Sequence, residues 1–187
     1  MNRNICIIDE EIRILFAEKA DRENMYKMSI ADEAIVLSMF NKVEDFKRDE
    51  FEHADEEFFN GIEGKSKYLF IEYNNEIVGF FCHDYHPAKI ENMELHIWMA
   101  SSKYTGKGIG TKVLNMMKNY IKEKYNINTF LMRPWTKNER AIKTYEKCGF
   151  RVMNDFKLEN YFTDKEIEKY GNGAYCEEET ANMILEF

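Results

Sequence analysis

Nowhere in this chain of 187 residues do some eighteen apolar residues run together, which excludes an apolar membrane-spanning helix. The first residues, Met1 to Glu11, are too polar and acidic for a secretory leader, so the expected location is the cytoplasm. Cys6, Cys82, Cys148 and Cys176 lack C-x-x-C spacing, and reduced thiols are expected in place of a disulfide framework or zinc knuckle. Cys82-His83 followed by His86 offers three metal ligands, but adjacent strand residues point to opposite faces, and no metal is expected. Positive charge is also short: 26 Lys and Arg against 34 Asp and Glu leave a net −8. That balance argues against nucleic acid or an anionic membrane as partner and favours cationic ligands. Its densest stretch, Glu44 to Glu63, reads either as part of a ligand site or as a solvated helix face.

What is present suits a folded domain. A hydrophobic content of 44%, with 14% aromatic, excludes disorder. Without repeats or a linker, one domain over residues 1–187 is expected, as monomer or homodimer. Ile12 to Phe16 reads as a first strand, followed by helical signal over Arg22 to Met28, Ala31 to Phe40 and Glu50 to Ile62. Tyr68 to Tyr73 and Ile77 to Tyr85 are β-rich and separated by Asn74-Asn75, a pair that tolerates positive φ, so they predict a hairpin. Then come a strand Met93 to Ala100, a helix Gly110 to Tyr125, a strand Thr129 to Arg133 and a helix Glu139 to Cys148. Strands near Phe150 to Phe156 and Asn182 to Phe187 complete the sheet, with a polar loop or partly helical insert at Lys157 to Glu179 between them. The order implies one mixed α/β sheet, mostly antiparallel and twisted, flanked by helices. A crossover makes its two central strands parallel.

The stretch Tyr104-Thr105-Gly106-Lys107-Gly108-Ile109-Gly110-Thr111 joins the strand ending at Ala100 to the long helix. Alternate glycines let backbone approach a ligand closely, and a helix starting there aims unpaired N–H groups and its positive dipole end at an anion, most often phosphate. Lys107 sits between glycines where a P-loop needs it after the last, and Gly106, Gly108 and Gly110 leave one residue where the dinucleotide fingerprint needs two.

A second constellation follows: Asn138-Glu139-Arg140-Ala141-Ile142-Lys143-Thr144-Tyr145-Glu146-Lys147-Cys148-Gly149-Phe150. With the glycine loop it resembles the GNAT N-acetyltransferase superfamily, whose acetyl-CoA signature is Q/R-x-x-G-x-G/A, then a strand, then N-x-x-A-x-x-x-Y-x-x-x-G-F on a helix. Thr105 stands where that pattern has Gln or Arg, which removes a side chain and leaves the backbone cradle intact. The resemblance runs from about Tyr68 to Phe150 and is nearest to the aminoglycoside 6'-N-acetyltransferases, through Phe70 to Asn75, the Gly106 to Thr111 loop and Arg140-Ala141-Ile142. It implies acetyl-CoA as co-substrate, a splayed central strand pair admitting its pantetheine arm, and direct acetyl transfer to a primary amine of a small molecule.

Such transfer needs the cofactor held, the amine neutral, the oxyanion stabilised and the leaving thiolate protonated. The backbone of Gly106, Lys107, Gly108, Ile109, Gly110 and Thr111, with Thr105, is expected to hold the diphosphate. The resemblance adds the main chain of Trp98, Met99 and Ala100 for the pantetheine amides and an oxyanion donor. Asn138 either bonds the cofactor or simply lies in the first turn of a helix capped by Thr136 and Glu139. Tyr145 holds the superfamily's acid position, with core packing as the alternative. Alternation puts Leu95, Ile97 and Met99 on one face and Glu94, His96 and Trp98 on the other. That makes His96 or Glu94 the candidate base, against a structural histidine beside an ion-paired glutamate.

Arg133, with Trp135 near it, is expected to contact the acceptor. A guanidinium there suits a carboxylate or phosphate, unless it pairs with an internal acid such as Glu94. Alternative activities are aminoglycoside acetylation, protein or peptide N-terminal acetylation, and a non-catalytic acyl-CoA sensor, which would have no need of Tyr145.

Overall fold

The computed structural model describes residues 4–39 and 65–187. The acidic Glu44 to Glu63 run and the helix expected over Glu50 to Ile62 lie outside the described residues. The strands are β1 Ile5–Ile8, β2 Ile12–Phe16, β3 Lys67–Tyr73, β4 Glu76–His86, β5 Asn92–Met99, β6 Thr129–Met132, β7 Arg151–Val152 and β8 Met183–Glu186. They form one eight-stranded sheet in the order β1-β2-β3-β4-β5-β6-β8-β7. Every neighbouring pair is antiparallel except β5 and β6.

The Asn74-Asn75 turn adopts φ of 51° and 65°, the left-handed pair a tight hairpin of this twist requires. β1 was not expected from sequence, since its four apolar residues do not alternate. It exists because β2 offers an open edge, and Asp9 N–H closes the turn on Ile12 O at 2.8 Å. β7 stops at Val152, well short of Phe156, and the chain turns away into helix.

The helices are α1 Arg22–Ser29, α2 Glu33–Leu37, α3 Ile109–Tyr125, α4 Glu139–Lys147, α5 Leu158–Tyr161 and α6 Asp164–Tyr170. The Lys157 to Glu179 insert is thus partly helical, and α6 begins with a capping box of Thr163 and Glu166. Asp32 caps α2, its side chain accepting from Ala34 N–H at 3.0 Å.

Helical spacing puts Ile109, Val113, Leu114, Met117 and Ile121 of α3 on one stripe, buried against Met93 and Leu95 of β5. Each such side chain contributes about 1.5–3 kcal/mol by leaving water. The opposite sheet face carries two separate apolar clusters. One packs Phe80 and Trp98 with Met25 of α1 and Ile35 and Val36 of α2. The other packs Leu131 and Ile184 with Tyr161 and Phe162. Between them β4 and β5 bring together Asp84, His86, Glu94 and His96, with Cys82 opposite His96 and Asp84 opposite Glu94.

The β5–β6 ladder consists of Met93 with Phe130 and Glu94 with Leu131. From Leu95 to Met99, β5 is paired with β4 alone, so the parallel strands part after one short contact.

Candidate active site

Gly106 and Gly108 have φ of 73° and 79°, a conformation L side chains seldom adopt, and a Cβ on either would point into open space. Gly108 is the N-cap of α3 and offers no side-chain cap. The first helical hydrogen bond runs from Lys112 N–H to Gly108 O at 3.0 Å, and among the described residues the N–H groups of Gly106 to Thr111 donate to nothing. With no acidic side chain in that turn, the positive helix end is left for an anion. A Cβ on Gly110 would lie 3.7 Å from Ile97 Cδ1, so the cradle sits directly against the free half of β5.

Neighbouring segments brace this loop. Asp32 accepts from Ser102 N–H at 2.6 Å, Ser102 Oγ at 2.8 Å and Ser101 Oγ at 2.9 Å. These bonds, the Ser102 N–H foremost, hold its carboxyl down at about 2. Tyr104 donates to Glu76 Oε2 at 3.0 Å, and Arg140 donates to Thr105 Oγ1 at 3.1 Å. None of these partners was legible in the sequence, because each joins segments far apart in the chain.

Of the β5 main chain, Ala100 N–H donates to Val78 O at 2.8 Å and faces β4. Backbone direction alternates along a strand, so Trp98 also faces β4, while the N–H and C=O of Met99 face the gap. Among the described residues, Met99 is therefore the member of the expected trio whose main chain faces the gap without a strand partner. Gly79, which belongs to neither sequence motif, lets the end of β5 lie close against β4. A Cβ there would stand 2.1 Å from Trp98 O. Glycine inside a strand is the signal that marks such a close approach.

Helix α4 supplies two more groups. Asn138 is itself the N-cap, accepting from Ala141 N–H at 3.2 Å, where Thr136 had been expected to cap. The cap uses its oxygen and leaves its amide NH₂ available. Tyr145 is buried in the main core with its ring edge-on to Phe150, 6.4 Å between centroids. Its hydroxyl makes no hydrogen bond in the described chain and is not sealed from solvent. Burial pushes this phenol well up, with nearby Tyr175 and Cys148 adding and Arg140 opposing. It is thus a core residue whose phenol stays protonated at neutral pH. Cys148 Sγ lies 3.8 Å from Thr111 O, which fixes α4 beside the start of α3.

On the other face, His86 is buried and lies 2.8 Å from Glu166 Oε1 through Nδ1. Its Nε2 is 3.6 Å from Glu94 and 4.0 Å from Asp84, ion-pair distances without a hydrogen bond. Burial opposes its charge, but the Glu166 bond and the other two carboxylates outweigh burial and raise it to about 10. Burial likewise works against the Glu94 carboxylate. His96, His86 and Arg133 more than offset it, to about 2. Glu94 is therefore an ion-paired carboxylate and a weak base at neutral pH. His96 is exposed on the same strand and shares that face. Asp84 moves up, because burial exceeds the effects of His86 and of its 2.6 Å bond from Ser66. His83 points to the opposite face, apart from Cys82 and His86, and among the described residues no group of three His, Cys, Asp or Glu side chains is placed to hold a metal ion.

Arg133 is committed internally. Its Nε donates to Asn182 Oδ1 at 2.9 Å, and one terminal nitrogen donates to Asn172 O and Oδ1 at 2.7 and 3.0 Å. The guanidinium also lies over the rings of Phe156 and Phe162. Trp135 is buried where its backbone bridges to Thr180, so both expected acceptor contacts form the wall joining β6 to the insert.

Residues 36–150 match the Acetyltransferase (GNAT) family. The spermine/spermidine N(1)-acetyltransferase of Bacillus subtilis (strain 168) is 27% identical over 88 residues, 44% of this chain and 58% of the relative, so the match spans little over half of that protein. Among solved structures, the Salmonella typhimurium acetyltransferase that modifies the N-terminal serine of ribosomal protein L7/L12 superposes with a TM-score of 0.71 at 14% identity, covering 98% of this chain and 99% of the other. Aminoglycoside acetyltransferase AAC(6')-Ib, solved with coenzyme A and kanamycin, gives 0.65 at 14% identity over 94% of each chain.

Proposed function

The chain belongs to the Acetyltransferase (GNAT) family, and from that premise we propose that it moves an acetyl group from acetyl-CoA directly to a primary amine of a small-molecule acceptor. One observation carries this reading. A run of unpartnered N–H groups, Gly106 to Thr111, opens a long helix against β5 just where β6 has parted from it. Acetyl-CoA supplies a thioester to be cleaved and a diphosphate for that loop to hold. The Met99 main chain, flanked by Trp98 and Ala100, meets the pantetheine arm, and its N–H faces the carbonyl oxygen as charge develops there. Asn138 adds its free NH₂, and Tyr145 gives its proton to the departing thiolate. His96 takes the proton of the incoming ammonium, directly or through water. Glu94 presents fixed negative charge beside it.

A second reading narrows the acceptor to a polycation such as a polyamine or an aminoglycoside. It is favoured by the excess of negative charge where three carboxylates, Asp84, Glu94 and Glu166, surround the single imidazole of His86, and by the withdrawal of Arg133 into bonds with Asn172 and Asn182. The test is thiol release from acetyl-CoA with aminoglycosides, polyamines, amino acids and short peptides. Turnover with one of the small amines is expected. Binding of acetyl-CoA without thiol release under any acceptor would instead mark a sensor. Gly110→Asp adds a negative charge where φ imposes no strain and should raise the acetyl-CoA dissociation constant at least tenfold, about 1.4 kcal/mol. Unchanged calorimetric binding in the folded variant would remove the loop from the site.

A further inference from the structure

We propose that His83 is an acid-sensitive latch between the sheet and the C-terminal end of α3, holding that end down while its imidazole is neutral and releasing it on protonation. His83 lies on β4, on the face away from Asp84 and His86, and takes no part in the transfer proposed above. It is completely buried. Its ring neighbours two aromatic side chains, Phe81 with centroids 6.3 Å apart and Tyr125, the last residue of α3, at 5.8 Å. Among the described residues neither ring nitrogen has a hydrogen-bond partner.

A neutral imidazole in this position lacks its hydrogen bonds, and an imidazolium would add an unpaired buried charge. The surroundings oppose that charge. Lys67 is the register partner of His83 on β3. Lys124 precedes Tyr125 on α3, with its ammonium 5.3 Å from the centre of the Tyr125 ring, so that ring already faces one cation. The negative end of α3 favours an imidazolium, and so does the Lys65 main chain, although it makes no hydrogen bond to the ring. Burial foremost, then Lys67 and Lys124, outweigh them and lower the ring from 6.5 to about 3. A base lowered in the folded state contributes its full stability above pH 6.5 and loses it as pH falls toward 3. His86, three positions along β4 and on the other face, is raised to about 10 and keeps its contribution over the same acid range. Acid therefore loosens the α3 side of this strand while the α6 side stays held. An opening of the last turn of α3 lets water reach the ring, which makes that turn the segment that responds.

The experiment is amide hydrogen exchange on the full chain between about pH 7.5 and 4.5, corrected for intrinsic exchange rates. The end of α3, Lys122 to Asn126, should open about tenfold more for each pH unit below 6.5, the linkage of one proton. Gly110 to Val113 at the far end of α3, and α6, should stay within about twofold. His83→Phe keeps a ring and removes the titration, so the slope at the end of α3 should vanish. In the unaltered chain the NMR signals of the His83 ring should stay at their neutral positions through pH 6.5. A slope that survives in His83→Phe, a flat last turn in the unaltered chain, or a His83 ring that titrates near pH 6.5 in the folded state would each overturn the proposal. Loss of protection along the whole of α3 at once would make His83 a general acid weakness and overturn the latch. If His83→Phe does not fold, the exchange slope and the ring titration of the unaltered chain decide between these outcomes.

Discussion

At the scale of single residues, Tyr145 and Gly79 make the sharpest tests. Tyr145 is a buried ring with an unbonded hydroxyl, and Phe keeps the ring. Tyr145→Phe should therefore leave Tm and acetyl-CoA binding intact and lower kcat on the order of 10²-fold, as the loss of a general acid does. Steady-state kinetics beside a thermal melt checks this, and a lost Tm with unchanged kcat would return Tyr145 to packing alone. Because burial raises its pKa, the donor stays protonated into the alkaline range and should add no falling limb to kcat near neutral pH. Gly79→Ala places a methyl group 2.1 Å from Trp98 O, so the end of β5 must move. A stability loss of about 1–3 kcal/mol is expected, in the range of overpacked sites, together with a raised KM for acetyl-CoA through the displaced Met99 main chain. Chemical denaturation and kinetics on the same variant separate the two effects.

Between elements, the decisive contact is the docking of α6 on the sheet through Glu166 and His86. His86 is raised to about 10 from 6.5, so its contribution to stability is complete below about pH 6.5 and disappears as pH climbs through 10. Glu94 is lowered to about 2 from 4.5, so its share is complete above about pH 4.5 and is lost as pH falls through 2. The Tm difference between the unaltered chain and His86→Gln should accordingly be widest between about pH 4.5 and 6.5 and narrow toward pH 10. A difference flat with pH would mean that His86 packs without charge. Breaking one partner of a buried pair costs about 3–5 kcal/mol, and that sets the size of the plateau. The second tether of the insert is Arg133. Arg133→Ala should lower stability by about 1–3 kcal/mol, as for charge-assisted bonds, and change acceptor preference little. A selectivity shift without a stability loss would restore it as an acceptor contact.

Across the whole molecule, Phe130 ties the ladder where β5 and β6 meet to the core beneath it, fully buried opposite Met93. Phe130→Ala should cost about 3–5 kcal/mol. At about 2–4 °C per kcal/mol for a chain this long, Tm falls on the order of 10 °C, measurable by circular dichroism.

The sequence by itself determined those parts whose physics is local: the Asn74-Asn75 hairpin, the alternation that buries Met93 and Leu95, the α3 stripe, and the glycine cradle. Each depends on residues within a few positions of one another, where φ preference, periodicity and helix-end chemistry act. The family signature around Asn138 and Tyr145 was legible for the same reason. The tertiary structure alone decided the role of charges and of close approaches. His86 meets Glu166 from 80 positions away, Arg133 is claimed by Asn172 and Asn182, and Gly79 lies against Trp98 O. Whether a carboxylate is a base or a counter-ion, or an arginine a ligand contact or a strut, depends on partner distance and burial. Both arise only when segments remote in sequence pack together.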